Sequence, residues 1–285
     1  MNEKSTNNLD ITQIFNEENQ YNIPIILPFS KRKVMMREMV TGDQKKFLKQ
    51  AMKLEDREYL HRKIGVLFNE LIGQITQDAE VEDWILQDKL YFLLFLRCYL
   101  KGDATELVFQ CDKCKQSNKF TYHLEMFIKK IQEMADSVEL ARKKSFGDYS
   151  FFIDAITIRE EIEADALVSD EEWLVKENIG ENELINLLRV ASAIKQIEIP
   201  AGKSDLTAYS LEQRYMLLMR TPIKIMNDVV AEITDTLKKT MEFTGDKLTV
   251  PCLHENCDGK TEINIQLGDE GFFIKQSSGS TPKKK

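Results

Sequence analysis

The chain has 285 residues and a formal net charge of −8, which argues against a general nucleic-acid binder, although a local basic patch can persist in such a chain. A hydrophobic share of 42% is ordinary for a globular protein and allows a sizeable core, in one large or two small domains. The longest apolar run, Leu90 to Leu96, is far too short to span a bilayer, so a soluble chain without membrane insertion is expected.

Residues 1–22 are rich in Asn, Glu and Gln, carry no secretory pattern and are expected to be a flexible segment. Ile23 to Phe29 and Lys33 to Val40 read as two strands with a turn at Ser30-Lys31-Arg32. Thr41-Gly-Asp-Gln44 fits a capping box that opens a helix. Leu60, Ile64, Leu67, Phe68, Leu71 and Ile75 recur at helical steps and predict one apolar face. Trp84 to Leu100 is the most apolar helical stretch, with Gly102 as its stop. Between Lys31 and Lys63 there are 11 Lys or Arg against 5 Asp or Glu, a basic surface suited to an acidic partner or simply to solvent.

The next feature is Cys111-Asp-Lys-Cys114, set between strand-like runs at Glu106–Gln110 and Asn118–Tyr122. Two cysteines at this spacing on a hairpin tip supply half of a tetrahedral zinc site. The other half is predicted downstream at Cys252-Leu-His-Glu-Asn-Cys257, again between strand-like runs. The spacing therefore predicts a structural Zn²⁺ held by Cys111, Cys114, Cys252 and Cys257. His254 lies within the second knuckle as an alternative ligand, with Cys257 favoured. Reduced thiols without metal, or a disulfide, are the other readings, and five cysteines without a secretory signal point to a reducing compartment. Cys98 sits in the apolar helix and reads as a core residue.

Between the knuckles, Leu124 to Met134 looks helical. Ser137–Lys144 and Tyr149–Asp154 can pair around Phe146-Gly-Asp148, and 201–205 reads as a loop after a short strand at Ile197–Pro200. Capping boxes are predicted at Thr157–Glu160, Ser169–Glu172 and Ser210–Gln213, with Thr221-Pro222 opening a last long helix. Glu160 to Glu183 holds 10 acidic residues against Lys176 alone and reads as a solvated face. Gly271–Ile274 is a candidate terminal strand, followed by a basic tail.

These elements predict an α+β fold in which helices pack around a zinc-ribbon-like pair of β-hairpins, with a large helical insertion between the two knuckles. The expected segments are 1–22, flexible; 23–135, hairpin, helices and first knuckle; 136–240, the mostly helical insertion; 241–275, the second knuckle hairpin; and 276–285, a flexible basic tail. No phosphate-binding glycine loop, nucleophile elbow, zinc-protease motif or dinucleotide fingerprint is present in the sequence. The three histidines form no acid–base set. A site closed by four thiolates is structural rather than catalytic, so no enzymatic activity is expected.

The order of parts carries a resemblance. Leu27-Pro-Phe29 and the Val34-Met-Met-Arg-Glu-Met39 strand lead into a basic helix. An apolar helix ending Phe92-Leu-Leu-Phe-Leu-Arg97 leads into a strand and Cys111-Asp-Lys-Cys114. Ala191-Ser-Ala-Ile-Lys-Gln-Ile197 and the helices opened by Ser210-Leu-Glu-Gln213 and Thr221-Pro222 follow. Over most of residues 23–240 this resembles the T-even bacteriophage baseplate protein family, which covers the baseplate hub subunit and a hub assembly catalyst. The resemblance implies a structural or assembly role in a contractile tail, in the virion baseplate after assembly in the host cytoplasm. The implied partners are other baseplate and hub proteins, with no small-molecule substrate. The alternative from the residues alone is a zinc-ribbon nucleic-acid-binding or transcription-associated protein. Lys113, Lys115, Lys119, Phe120 and Tyr122 favour it, and Asp112, Glu255 and Asp258 oppose it.

Overall fold

The computed structural model describes residues 21–51, 60–76, 78–170, 173, 177, 179–241 and 247–264. Residues 1–20 of the expected flexible start, the terminal strand at Gly271–Ile274 and the basic tail lie outside them, whereas the Tyr21 hydroxyl donates to the Gln74 carbonyl at 3.2 Å. The described chain mixes eight α-helices with small antiparallel sheets, an α+β arrangement. It divides into two compact units, one of Met1–Leu27 with Lys31–Val81, the other of Pro28–Ser30 with Glu82–Lys285. Among the described residues no helix is long and apolar enough to cross a membrane.

In the first unit, β1 (Ile23–Ile26) and β2 (Lys33–Met36) form a hairpin running from Ile23↔Met36 to Ile26↔Lys33. Alternation decides its faces: Ile25, Val34 and Met36 are buried while Ile26 and Met35 are exposed. Two helices follow, α1 (Thr41–Ala51) and α2 (Leu60–Thr76). Phe47 of α1 meets Phe68 of α2 with ring centroids 4.9 Å apart, beside the buried Leu71, Ile72 and Ile75. The expected Thr41 capping box does not form in the predicted way, because Thr41 is already helical. Asp43 does the work instead: its carboxylate accepts the Val40 N–H at 3.0 Å and takes both ends of the Arg37 guanidinium at 2.6 and 2.9 Å. A charged acceptor with two partners outcompetes a hydroxyl. Burial raises the Asp43 pKa, yet Arg37 and the Val40 N–H outweigh it and hold the carboxyl below its usual range.

The second unit is built on α3 (Leu86–Lys101), which buries Leu86, Gln87, Asp88, Tyr91, Phe92, Leu93, Leu94 and Leu96. Residues on nearly every side of this helix are covered, which matches its run of apolar residues. Gly102 stops it at φ +80°, a backbone region that disfavours side chains, and sends its N–H to the Cys98 carbonyl at 2.9 Å. Buried Asp88 accepts the N–H groups of Phe29 and Ser30, both at 2.9 Å.

The hairpin β3 (Ala104–Gln110) and β4 (Ser117–His123) follows, then α4 (Leu124–Ser137). The helix runs to Ser137, so the strand expected from Ser137 begins only at Arg142. The next elements are β5 (Arg142–Phe146), β6 (Tyr149–Ile153), α5 (Ile158–Val168) and α6 (Glu181–Ala193). They continue with β7 (Ile194–Ile199), β8 (Gly202–Asp205), α7 (Leu211–Leu218) and α8 (Ile223–Met241). A last hairpin joins β9 (Lys247–Pro251) to β10 (Lys260–Asn264). The residues read as a loop at 201–205 form β8 instead, paired with β7 from Gln196↔Asp205 to Ile199↔Gly202. Its polar sequence gives no strand signal; β7 supplies the ladder. The result is a four-stranded sheet in the order β5-β6-β7-β8.

Two predicted capping boxes form in full, at Thr157–Glu160 and Ser210–Gln213. Of the one expected at Ser169–Glu172, residues 171 and 172 lie outside the described ones, and the Ser169 hydroxyl bonds back to the Asp165 carbonyl. The Thr221-Pro222 helix starts one place later than expected, at Ile223, with the Pro222 carbonyl accepting from Met226.

The acidic stretch is not uniformly a solvated face. Glu160 at the start of α5 is buried, with the Lys195 ammonium of β7 at 2.6 and 2.7 Å from its two oxygens and Arg214 of α7 at 2.8 Å. Burial would raise the pKa of its carboxyl, but Lys195, the Thr157 N–H and Arg214 together hold it below the usual range. Nearby, Glu161 pairs with Arg189, and Glu177 accepts from the Tyr215 hydroxyl at 2.9 Å. Replacing Glu160 by Ala leaves buried Arg214 and half-buried Lys195 without their shared anion. Urea denaturation should show a loss of about 3–5 kcal/mol, against about 0.5 kcal/mol or less for Glu82→Ala at the surface.

Candidate metal centre

The two knuckles are the tips of two separate antiparallel hairpins. One pairs Ala104↔His123 through Gln110↔Ser117, the other Lys260↔Pro251 through Asn264↔Lys247. Loops 111–116 and 252–259 close them. Together they bring Cys111, Cys114, Cys252 and Cys257 into one cluster, with all four Sγ atoms within 4.8 Å of one another. Cys111 lies 3.8 Å from Cys257, and Cys114 lies 3.6 Å from Cys252. Cys111 is fully buried and the other three are half-buried.

The halves are related by a local two-fold pattern. Each short sulfur–sulfur distance joins the first cysteine of one knuckle to the second of the other. In each knuckle the first cysteine's N–H donates to the carbonyl two residues past the second cysteine: Cys111 to Gln116 at 3.0 Å, and Cys252 to Gly259 at 2.8 Å. In each, the residue four past the second cysteine is a buried polar one that reaches across. Asn118 Oδ1 accepts the Leu253 N–H at 2.8 Å, and Thr261 Oγ1 accepts the Asp112 N–H at 3.1 Å. Lys113 and Asp258 add an exposed ion pair across the same seam.

The cluster fits a tetrahedral cation. Four sulfurs at about 2.3 Å from one ion stand about 3.8 Å apart along each edge of the tetrahedron. The two closest observed pairs match that edge. Gly259 is part of the fit, since a Cβ there would lie 2.7 Å from Cys111 Sγ, 2.9 Å from Lys113 Cβ and 3.2 Å from Cys257 Sγ. Only glycine lets the backbone come this close.

The thiols are electrostatically frustrated among themselves. The Cys114 N–H, with that of Lys113 and the neighbouring thiols, brings Cys111 down to about 6 against the cost of burial. Cys257 is pushed up to about 12: the Gly259 N–H favours its thiolate, but burial and the three other sulfurs prevail. Sulfurs this close cannot all ionise unless a cation sits among them.

The structure thus brings together the four cysteines singled out from the sequence. His254 turns away, its Nε2 donating to the Ser117 carbonyl at 2.9 Å. Cys98 is elsewhere, half-buried on α3, with its thiol raised to about 11 by burial first. Sequence reasoning missed Asn118, Thr261 and Gly259. The signal was present as equal offsets from Cys114 and Cys257, but only the facing of the hairpins gives those offsets meaning. No family model, curated protein or solved structure matches the chain.

Gly259→Ala should weaken metal binding and cost about 1–3 kcal/mol of stability, because a methyl group is driven against two sulfurs while all four thiols remain. Competition against a chromophoric chelator and thermal denaturation measure the two effects. Asn118→Leu strands the Leu253 N–H and should cost about 1–3 kcal/mol in the same denaturation assay.

Proposed function

We propose that this chain is a non-enzymatic structural or assembly component of a contractile-tail bacteriophage baseplate hub, held together by a structural zinc ion. The observation that carries the zinc reading is the convergence of four thiols from two remote hairpins. Cys111, Cys114, Cys252 and Cys257 would each give one thiolate to the metal, making a zinc ribbon of the two hairpins. Four protein ligands complete a tetrahedron and leave no coordination position for water or substrate, so such an ion braces the fold. Because the metal would join segments 138 and 146 residues apart, its binding energy becomes folding energy.

The placement in a phage tail rests on the resemblance in the order of elements over residues 23–240. In that setting the protein acts through surfaces, joining other baseplate and hub proteins in the virion after assembly in the host cytoplasm. The exposed lysines Lys45, Lys46 and Lys49 on α1 are the docking candidates of its basic region. The nucleic-acid reading draws less support from the knuckles, where Lys113 pairs with Asp258 and Lys119 approaches Glu106 at 3.7 Å.

Elemental analysis should find one zinc per chain, retained in Cys98→Ser and lost in Cys111→Ser and Cys252→Ser, which also unfold more readily. Equal zinc in all three variants refutes the metal assignment. Charge reversal at Lys45, Lys46 and Lys49 should slow hub assembly, most strongly at low salt, and leave the fold intact. Mass spectrometry of purified tail particles tests the location. Recovery on DNA, with affinity falling linearly in a log–log salt plot, would favour the nucleic-acid alternative.

A further inference from the structure

The sulfur cluster also contains two facing thiol pairs. Cys111 Sγ stands 3.8 Å from Cys257 Sγ and Cys114 Sγ 3.6 Å from Cys252 Sγ, and each pair spans the two hairpins. A disulfide holds its sulfurs about 2.0 Å apart, so each pair closes with less than about 2 Å of travel, within reach of side-chain rotation. The pairs are kept facing by bonds that use no sulfur. Asn118 Oδ1 accepts the Leu253 N–H, Thr261 Oγ1 accepts the Asp112 N–H, and Lys113 pairs with Asp258. Each knuckle is also pinned by its own backbone. The Lys115 N–H donates to the Cys111 carbonyl at 2.9 Å, and the Cys257 N–H to the His254 carbonyl at 3.1 Å.

Access differs within the pairs. Cys114, Cys252 and Cys257 are half-buried and open to a small oxidant, whereas Cys111 is fully buried. Cys111 is therefore placed to resolve what forms on Cys257, and Cys114 and Cys252 can serve each other in either order. The fifth cysteine, Cys98, lies outside the cluster.

We propose that the four cysteines form a redox latch: a peroxide converts them into two crossed disulfides, Cys111–Cys257 and Cys114–Cys252, which free the metal yet keep the two hairpins joined. The metal release rests on the zinc reading above, and the pairing rests on the sulfur geometry. In each pair one thiolate attacks a peroxide oxygen, the O–O bond breaks and hydroxide leaves. The facing thiolate then attacks the sulfenic sulfur and expels a second hydroxide. Each pair thus gives two electrons to one hydrogen peroxide. In sum, four thiolates, two hydrogen peroxide molecules and four protons become two disulfides and four waters, and no anionic ligand remains for a dication. Bridges across 138 and 146 residues restrict the unfolded chain strongly, so covalent closure takes over from coordination. A component built in a reducing cytoplasm and carried outside it in a particle would meet the two conditions in turn.

The test treats the zinc-loaded full chain with hydrogen peroxide. A chromophoric chelator should record one zinc released per two peroxides consumed, and free thiols should fall from five to one, Cys98. Trypsin cuts after Lys113 and endoproteinase Glu-C after Glu255, which separates the two cysteines of each knuckle. Non-reducing mass spectrometry should then find Leu107–Lys113 joined to Asn256–Lys260, and Cys114-Lys115 joined to Leu248–Glu255. The oxidised chain should remain monomeric and unfold at a higher urea concentration than the reduced, zinc-free chain. Reduction with zinc present should restore one zinc. Four results each overturn the inference alone: bridges within the knuckles, bridges between chains, sulfinic acids without bridges, or zinc retained after the thiols are consumed. A reduced chain that binds no zinc refutes the metal reading itself, and the inference falls with it.

Discussion

Four sulfur atoms within 4.8 Å of one another, drawn from hairpins 138 and 146 residues apart, set the terms for the second unit of this protein. Left to themselves they cannot all be thiolates at once: one thiol is pushed down to about 6 and another up to about 12. A divalent cation would remove the conflict, because each thiolate would then face a positive charge at short range. Without one, closing two such distant segments costs loop entropy that a few hydrogen bonds oppose only weakly. The helices and the four-stranded sheet that lie between the knuckles in sequence would thereby be tied at both ends.

The rest of the seam shows how the chain prepares for that closure. Asn118 and Thr261 each accept a backbone N–H from the opposite knuckle, so the two hairpins are registered by neutral hydrogen bonds as well as by sulfur. Hydrogen bonds of this kind orient ligands and fix the pocket that a metal meets. Gly259 removes the one side chain that would collide with it. Inside the insertion a different lock operates. Glu160 gathers its own helix cap, Lys195 and Arg214, which joins α5 to β7 and α7 through one buried carboxylate. Such a cluster is costly to desolvate and costlier to break, so it specifies one arrangement of those elements.

That internal use of charge changes how the surface reads. Part of the acidic stretch is turned inward or paired, through Glu160, Glu161 and Glu177, and is not free to meet a partner. Cations become the more telling external feature. Lys45, Lys46 and Lys49 are exposed on α1, while Lys203 on β8 lies across from Glu198 in the ladder. Charge of this kind guides encounter and orientation where a partner binds, whereas buried apolar anchors supply affinity.

Local pattern was enough for much of this. The apolar run of α3, the stop at Gly102, the capping boxes at Thr157 and Ser210 and the alternation of β1 and β2 follow from short-range sterics and hydrogen bonding. The four cysteines were legible too, since thiolate spacing on hairpin tips has few other uses. What the sequence left open depends on contacts made at a distance. The strand β8 exists because β7 offers it a ladder. Asp43 displaces Thr41 at the start of α1 because Arg37 is brought to it. His254 is excluded from the sulfur cluster because the Ser117 carbonyl holds it. The burial of Glu160, and the crossing of Asn118 and Thr261 between knuckles, join residues that no local period relates. Local backbone chemistry dictates which elements can form; only the tertiary packing decides which polar groups find each other, because their free energy depends on partners and on the water that packing removes.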